Sequence, residues 1–320
     1  MKLRRILLRA LMPGGARARH QTLIFHRVLP QADPMMPGEP TAEVFEAIIA
    51  RLADSFEIMP LHAAVRAARQ GNLPAASLSI TFDDGYADNA LLALPILERY
   101  RCHATFFIAS GFVDGGRMWN DTIIEVARQL PAGSVVDPSD GDEPVTISGF
   151  ADRRQVAERV IRRCKYLPTT ERDQQVARFA HEHAGAAALP DDLMMSTQLL
   201  QRLAASEYAE IGAHTCSHPI LAQCDEVQAK QEIAGSIEDL QRLLGTRPRL
   251  FAYPNGKRGV DYLASQSTWL AEMGIEAAVA TDWGVLDAHT DPMQIPRFTP
   301  WTHRPGRFVL DLLRGRYKLL

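Results

Sequence analysis

Short apolar runs alternate along the chain with longer stretches whose apolar residues recur every three or four positions. "TLIFHRV" (22–28), "LSITFDD" (78–84), "HATFFIAS" (103–110) and "YAEIGAH" (208–214) read as buried strands, and three of them run out into histidine or aspartate. "RLFAYP" (249–254), "EAAVATDW" (276–283) and "QIPRF" (294–298) are further strand candidates. Helical spacing marks "TAEVFEAIIARLADS" (41–55), "ALLALPILERY" (90–100), "EVQAKQEIAGSIEDLQRLLG" (226–245) and "YLASQSTWLAEMG" (262–274). Thr41 is placed to cap the first of these helices and Gly245 to end the third, while Pro95 implies a tolerated kink in the second.

Strands alternating with helices predict an α/β fold with parallel pairing and helices outside. A doubly wound sheet and a closed β/α barrel both satisfy the pattern, and in both the chemistry gathers at the carboxyl ends of the strands. Residues 120–207 break the alternation. "DTIIEVARQL", "DRRQVAERVIRRCKYL", "TERDQQVARFAHEHA" and "STQLLQRLAASE" are polar amphipathic helices. They read as a helical insertion in a single domain over residues 21–320, preceded by a basic segment at 1–20.

Composition narrows the function classes. A hydrophobic fraction of 46% with 23% charged residues is globular, and a net charge of −3 argues against a nucleic-acid partner bound through a broad basic face. Cys102, Cys164, Cys216 and Cys224 show no disulfide-framework spacing and read as reduced thiols. The opening "MKLRRILLRALMPGGARARH" has a basic start, but its apolar run is short and broken by Arg9. This favours a cytoplasmic or peripheral membrane location over secretion. Arg4, Arg5, Arg9, Arg17 and Arg19 beside Ile6, Leu7, Leu8 and Leu11 suggest contact with a membrane surface through this segment; the tail "RFVLDLLRGRYKLL" has the same character. Packing of both ends on their own domain is the alternative.

The titratable residues at the strand ends carry the chemistry. Asp83 and Asp84 end one strand, His26 another, and His214 and His218 follow a third in "HTCSHP". Pro219 disfavours a helical His218, so a turn is expected there. Alone, Asp-Asp-Gly is ordinarily a turn, and two histidines four apart are ordinarily surface or core residues. Together, each after an apolar run, they point to a metal site of two imidazoles and one carboxylate. Zinc suits this donor set, which also permits iron, cobalt or nickel. A cation would relieve the repulsion between adjacent carboxylates, leaving one of them free as a general base. Gly85 permits a sharp exit from the strand. Cys216 is a rival ligand or a small buried residue.

"TFDDGY" with "HTCSHP" resembles the first two motifs of the polysaccharide deacetylases, the NodB-homology group of carbohydrate esterases (family 4-like). The resemblance implies a distorted (β/α) barrel and a metal-dependent hydrolase removing acetyl groups from N- or O-acetylated sugars. It makes Asp83 the general base and Asp84, His214 and His218 the ligands of a divalent metal, with Zn2+ preferred. The later motifs depart from the family pattern. In "FAYPNG" (251–256), Ala252 stands where an arginine orients the base and Asn255 replaces a tyrosine, its backbone N–H still available to an oxyanion. Arg297 is the candidate replacement arginine; a surface salt bridge is its alternative. His303 lies outside the usual context for the catalytic histidine. "IFHRV" resembles the circularly permuted exopolysaccharide-deacetylase branch, which makes His26 the general acid, with a core histidine as the alternative. Asp282 and Trp283 loosely resemble a fourth motif, Asp282 as a partner supporting the site residues and Trp283 as pocket wall, and Trp119 is either groove lining or core. The expected partner is an acetylated glycan. Two rival functions remain: hydrolysis of a non-peptide C–N bond in a small molecule, and an inactive glycan-binding module.

Overall fold

The computed structural model describes residues 8–139, 141–185, 188–299, 302 and 304–317. Parallel strands β1 (Gln21–Phe25), β3 (Ser77–Phe82), β4 (Ala104–Ile108), β7 (Ala209–Ala213), β8 (Leu250–Ala252) and β9 (Ala277–Val279) form one sheet in that spatial order, and β2 (Glu57–Ile58) adds to the start of β3. Such a sheet is covered on both faces, which explains strands buried at every position, as in β3 and β4.

The two faces have different neighbours. Leu78, Ile80, Phe82, Phe106, Ile108 and Phe251 pack against the outer helices Ala42–Ser55, Leu94–Tyr100 and Glu226–Leu244. The intervening residues Phe107, Leu250 and Ala252 face the interior, with Ala277, Val279 and the helix Leu61–Arg69. On β3 the interior face is polar: Ser77, Ser79 and Thr81 alternate with the apolar positions, and Asp83 follows in phase just past the strand end. Buried His20 bonds both serines through its ring nitrogens, at 2.9 Å each.

The barrel closes without a regular strand. "QIPRF" is an extended connector: Ile295 bridges Val279, and the Phe298 N–H donates to the Thr22 carbonyl of β1 at 2.9 Å. Pro296 has no N–H to give a ladder, so the expected strand shrinks to single contacts. The expected helix at 90–100 is likewise divided. Asn89–Ala93 forms a π turn, and Pro95 falls in the first turn of the α-helix that follows, where its missing N–H costs little.

Between β4 and β7 lie the helices Trp119–Arg128, Phe150–Cys164 and Thr169–His183 and a hairpin of β5 (Val135–Val136) and β6 (Val145–Thr146). These share their own apolar cluster around Ile123, Val126, Val160 and Phe179. The helix Thr197–Ala204 does not belong to it. Leu200 and Leu203 join the barrel cluster, so this helix is the crossover that a parallel β4–β7 connection requires. Trp119 packs against the insertion cluster, with the Arg172 guanidinium 5.4 Å from its ring.

Leu8 and Met12 turn into the barrel core, as do Phe308, Val309 and Leu312 of the helix Pro305–Tyr317. Arg4, Arg5, Ile6 and Leu7 lie outside the described residues, as does His303. Among the described residues no helix is long and apolar enough to cross a membrane.

At the opposite end of the strands from the aspartates, His62 Nδ1 meets Glu210 Oε1 at 2.5 Å. The hydrogen bond to Glu210 raises the His62 pKa above its ordinary 6.5, against the opposing effect of burial. A raised folded-state pKa means the pair stabilises the fold fully below the unfolded value and loses that contribution as pH rises through the folded one. A His62→Gln protein is therefore expected to lose more melting temperature relative to wild type at pH 5.5 than at pH 8.5. An equal loss at both would refute the linkage.

Candidate active site

The titratable strand-end residues meet in one cavity of about 620 Å³, lined by His26, Asp83, Asp84, His214, His218 and Arg297, with Asn255 and Trp283 also in its wall. Local backbone geometry does much of the convergence. After β3, Asp84 adopts φ 78° and Gly85 φ 91°. These two left-handed residues break the strand's alternation, so Asp83 keeps the interior face while Asp84 turns toward the histidines. A Cβ on Gly85 would also press on Ile108 at 3.2 Å. Thr215 (φ 63°), His218 (φ 54°) and Asn255 (φ 58°) are left-handed as well. Left-handed non-glycine residues cost about 1–3 kcal/mol each and persist where the surroundings over-determine them. Here Glu232 of the 226–244 helix does so for the histidine turn: its carboxylate accepts from Cys216 N at 2.9 Å, Ser217 N at 2.8 Å and Ser217 Oγ at 2.6 Å. The stretch 214–219 is a turn, in keeping with Pro219.

Asp84 Oδ1 lies 3.3 Å from His214 Nε2 and 3.4 Å from His218 Nε2. One donor atom from each of the three lies within 4.8 Å of the others. His214 Nδ1–H donates to the Ala252 carbonyl at 2.7 Å, which fixes the ring with Nε2 directed at Asp84. The donor chemistry fits a divalent cation: two imidazole nitrogens and a carboxylate oxygen converge, with no lysine or arginine among them to take the cation's place. The groups also set one another's charge: burial opposes charge on His214, but its hydrogen bond to Asp84 and the nearby Asp83 outweigh it and raise its pKa. Burial opposes charge on Asp84, but the neighbouring imidazoles outweigh it and hold its pKa well below the usual carboxylate range. Burial pushes His218 down to about 4, so it is a neutral imidazole at physiological pH. Cys216 is not one of these donors; its thiol points at the Glu232 carbonyl, 3.6 Å away.

Arg297 and Asp83, 214 positions apart, form a buried bidentate pair: Nη1 to Oδ1 at 2.6 Å and Nη2 to Oδ2 at 2.7 Å. Arg297 is itself fixed by the Ala280 carbonyl at 2.8 Å and Thr81 Oγ1 at 3.1 Å. Burial opposes ionisation of Asp83, but Arg297 and His214 outweigh it and lower its pKa, so it stays a carboxylate. Asp83 is thus paired with an arginine from the barrel-closing segment, "FAYPNG" carrying none.

Trp283 is 60% exposed at the cavity rim, its ring edge-to-face with Phe298 at 4.8 Å, a geometry open to stacking from solvent. Asp282 supports Arg297, its backbone carbonyl accepting from the Arg297 N–H at 3.1 Å. Its carboxylate accepts from the Arg258 N–H at 3.1 Å.

Several residues around the cavity were given no role by the sequence. Tyr86 Oη bonds both carboxyl oxygens of Asp121 at 3.1 Å, and burial raises the Asp121 pKa to about 7. Asn120, Asp121 and Lys165 bring the insertion into the cavity wall, and Glu39 enters from the loop before the 42–55 helix. Polar residues in phase on β3 were the available signal for Thr81; for Asp121 and Glu39 the sequence carries none.

Residues 70–135 and 169–277 match the polysaccharide deacetylase family, a span that holds Asp83, Asp84, His214, His218 and Asn255. The chain belongs to the polysaccharide deacetylase family. His26, Trp283 and Arg297 fall outside the matched segments. No curated protein matches the sequence. Among solved structures the fold is similar to IcaB from Ammonifex degensii, with TM-score 0.59 and 18% identity over 92% of this chain and 97% of that one. It is also similar to the Streptococcus pyogenes deacetylase PplD in complex with acetate, with TM-score 0.55 and 16% identity over 93% and 98%. The BpsB deacetylase domain from Bordetella bronchiseptica gives TM-score 0.53 and 15% identity over 87% and 94%. The expected distorted NodB-type barrel is the fold observed.

Proposed function

We propose that the protein hydrolyses acetyl groups from an acetylated glycan, with Asp84, His214 and His218 as the ligands of a divalent cation, preferably Zn2+. The observation that carries this reading is the pairing of that donor set with a separate buried carboxylate, Asp83, held by both oxygens on Arg297. A cation held there supplies Lewis acidity, which lowers the pKa of water and polarises an acetyl carbonyl.

The chain's own groups supply the rest. Asp83 is ionised at neutral pH and takes the proton from the attacking water. Arg297 keeps its oxygens oriented and its charge in place. Asn255 lines the cavity, and its backbone N–H serves as the oxyanion donor, a contribution of roughly 3–4 kcal/mol for such a group. His26, which lines the same cavity, gives a proton to the departing amine or alkoxide. Trp283 offers its exposed face to a sugar ring. The products are acetate and a free amine or hydroxyl.

An inactive glycan-binding module would have no use for Asp83 and Arg297 at this geometry. The missing arginine of "FAYPNG" would favour the module, but Arg297 holds Asp83 by both oxygens.

The test is acetate release from chitooligosaccharides, peptidoglycan fragments and acetylated lipid-linked sugars, alongside metal analysis. Chelation by dipicolinate should remove activity and added Zn2+ should restore it. His214→Ala should hold less than one tenth of the wild-type metal and stay inactive after zinc addition. Release of acetate from none of the three substrate classes, with glycan binding intact, would replace the enzyme reading by the module.

A further inference from the structure

The segment carrying His26 leaves the sheet directly after β1, whose last register pair is Phe25 with Phe82. Beyond that point its backbone groups are held by side chains. Asn89 Nδ2 donates to the His26 carbonyl at 2.8 Å. The N–H of the same peptide unit, on Arg27, donates to Glu39 Oε2 at 3.2 Å. The next N–H, on Val28, donates to Asp88 Oδ1 at 3.2 Å. Asp88 Oδ2 also accepts from Arg27 Nε at 2.8 Å, and the Arg27 guanidinium lies 4.5 Å from the centre of the Tyr86 ring.

Asp88 and Asn89 enter the π turn just after "DDGYA", and Asn89 is fully buried. The loop that presents Asp83 and Asp84 therefore continues into the residues that pin His26. π turns are costly and recur where a side chain must be aimed.

We infer that Asn89, Asp88 and Glu39 are positioning residues that clamp the 26–28 backbone, fixing His26 in register with Asp83 and the metal ligands. The inference rests on His26 being the proton donor. The clamp acts on the backbone, so its effect on rate is confined to the step in which His26 gives up its proton.

Leaving-group dependence tests this. An amide nitrogen must be protonated to depart, whereas 4-nitrophenolate leaves without a proton. For Asn89→Ala, kcat on penta-N-acetylchitopentaose is expected to fall about 10²-fold with KM held within about twofold. Hydrolysis of 4-nitrophenyl acetate should change by no more than about threefold, as a misplaced acid leaves the remaining groups intact. Glu39→Ala, at a half-buried position that tolerates truncation better, should show the same split, and Glu39→Gln, which keeps the acceptor, should restore the amide rate. Equal losses on both substrates, or Glu39→Gln behaving like Glu39→Ala, would overturn the clamp. His26→Ala run in parallel separates the two claims. If it shows the split and Asn89→Ala does not, the clamp alone fails; if it shows no split, the proton-donor reading fails and the clamp with it.

Discussion

Asp83→Asn is expected to retain its metal and lose about 10²–10⁴-fold in kcat, the range removed with a general base. The replacement is nearly isosteric, and its carbonyl can still accept one N–H from Arg297. It cannot take a proton at neutral pH. On the proposed reading Asp84, His214 and His218 set the metal content, so in excess zinc it should stay within about a tenth of wild type. Metal analysis and acetate release on the same preparation check both halves. A variant that keeps more than a tenth of the wild-type rate would remove Asp83 from the mechanism. A variant that loses its metal would make Asp83 part of the ligand shell.

The second large effect falls on Arg297. Its guanidinium and the Asp83 carboxylate are both almost wholly buried, with side-chain exposures of 0% and 4%. Truncating one partner of such a pair strands the other charge away from water, at about 3–5 kcal/mol. Arg297→Met should therefore lower the stability by that order in urea unfolding and reduce activity as the Asp83 carboxyl loses its cation and its orientation. The double variant Asp83→Asn/Arg297→Met, with neither charge present, should recover much of the lost stability and none of the activity. That non-additivity is what a direct contact demands. Additive losses would mean the two side chains act independently.

The sequence alone determined the alternation of buried strands and amphipathic helices, and with it a parallel α/β sheet whose strand ends carry the chemistry. That much follows from local physics, since burial on both faces makes a strand continuously apolar and a helix burying one face repeats every three to four residues. "TFDDGY" and "HTCSHP" were legible for the same reason: each set of site residues lies within a few positions at the end of one run. Asp88 and Asn89 stood in the sequence beside these motifs, but nothing local showed that they hold the peptide after His26.

Tertiary structure alone decided the rest. Asp83 meets Arg297 across 214 positions because the barrel closes through an irregular segment, whose contacts are single hydrogen bonds that no periodicity announces. The separate aims of Asp83 and Asp84 depend on a left-handed φ at an aspartate, a choice imposed by the surrounding turns. The insertion gives up the 197–204 helix to the barrel because a parallel β4–β7 pair needs a crossover helix, and amphipathic spacing does not say which core a helix joins. What one chain segment can bury is written in its own residues; which distant group neutralises a buried charge is settled only when the segments pack.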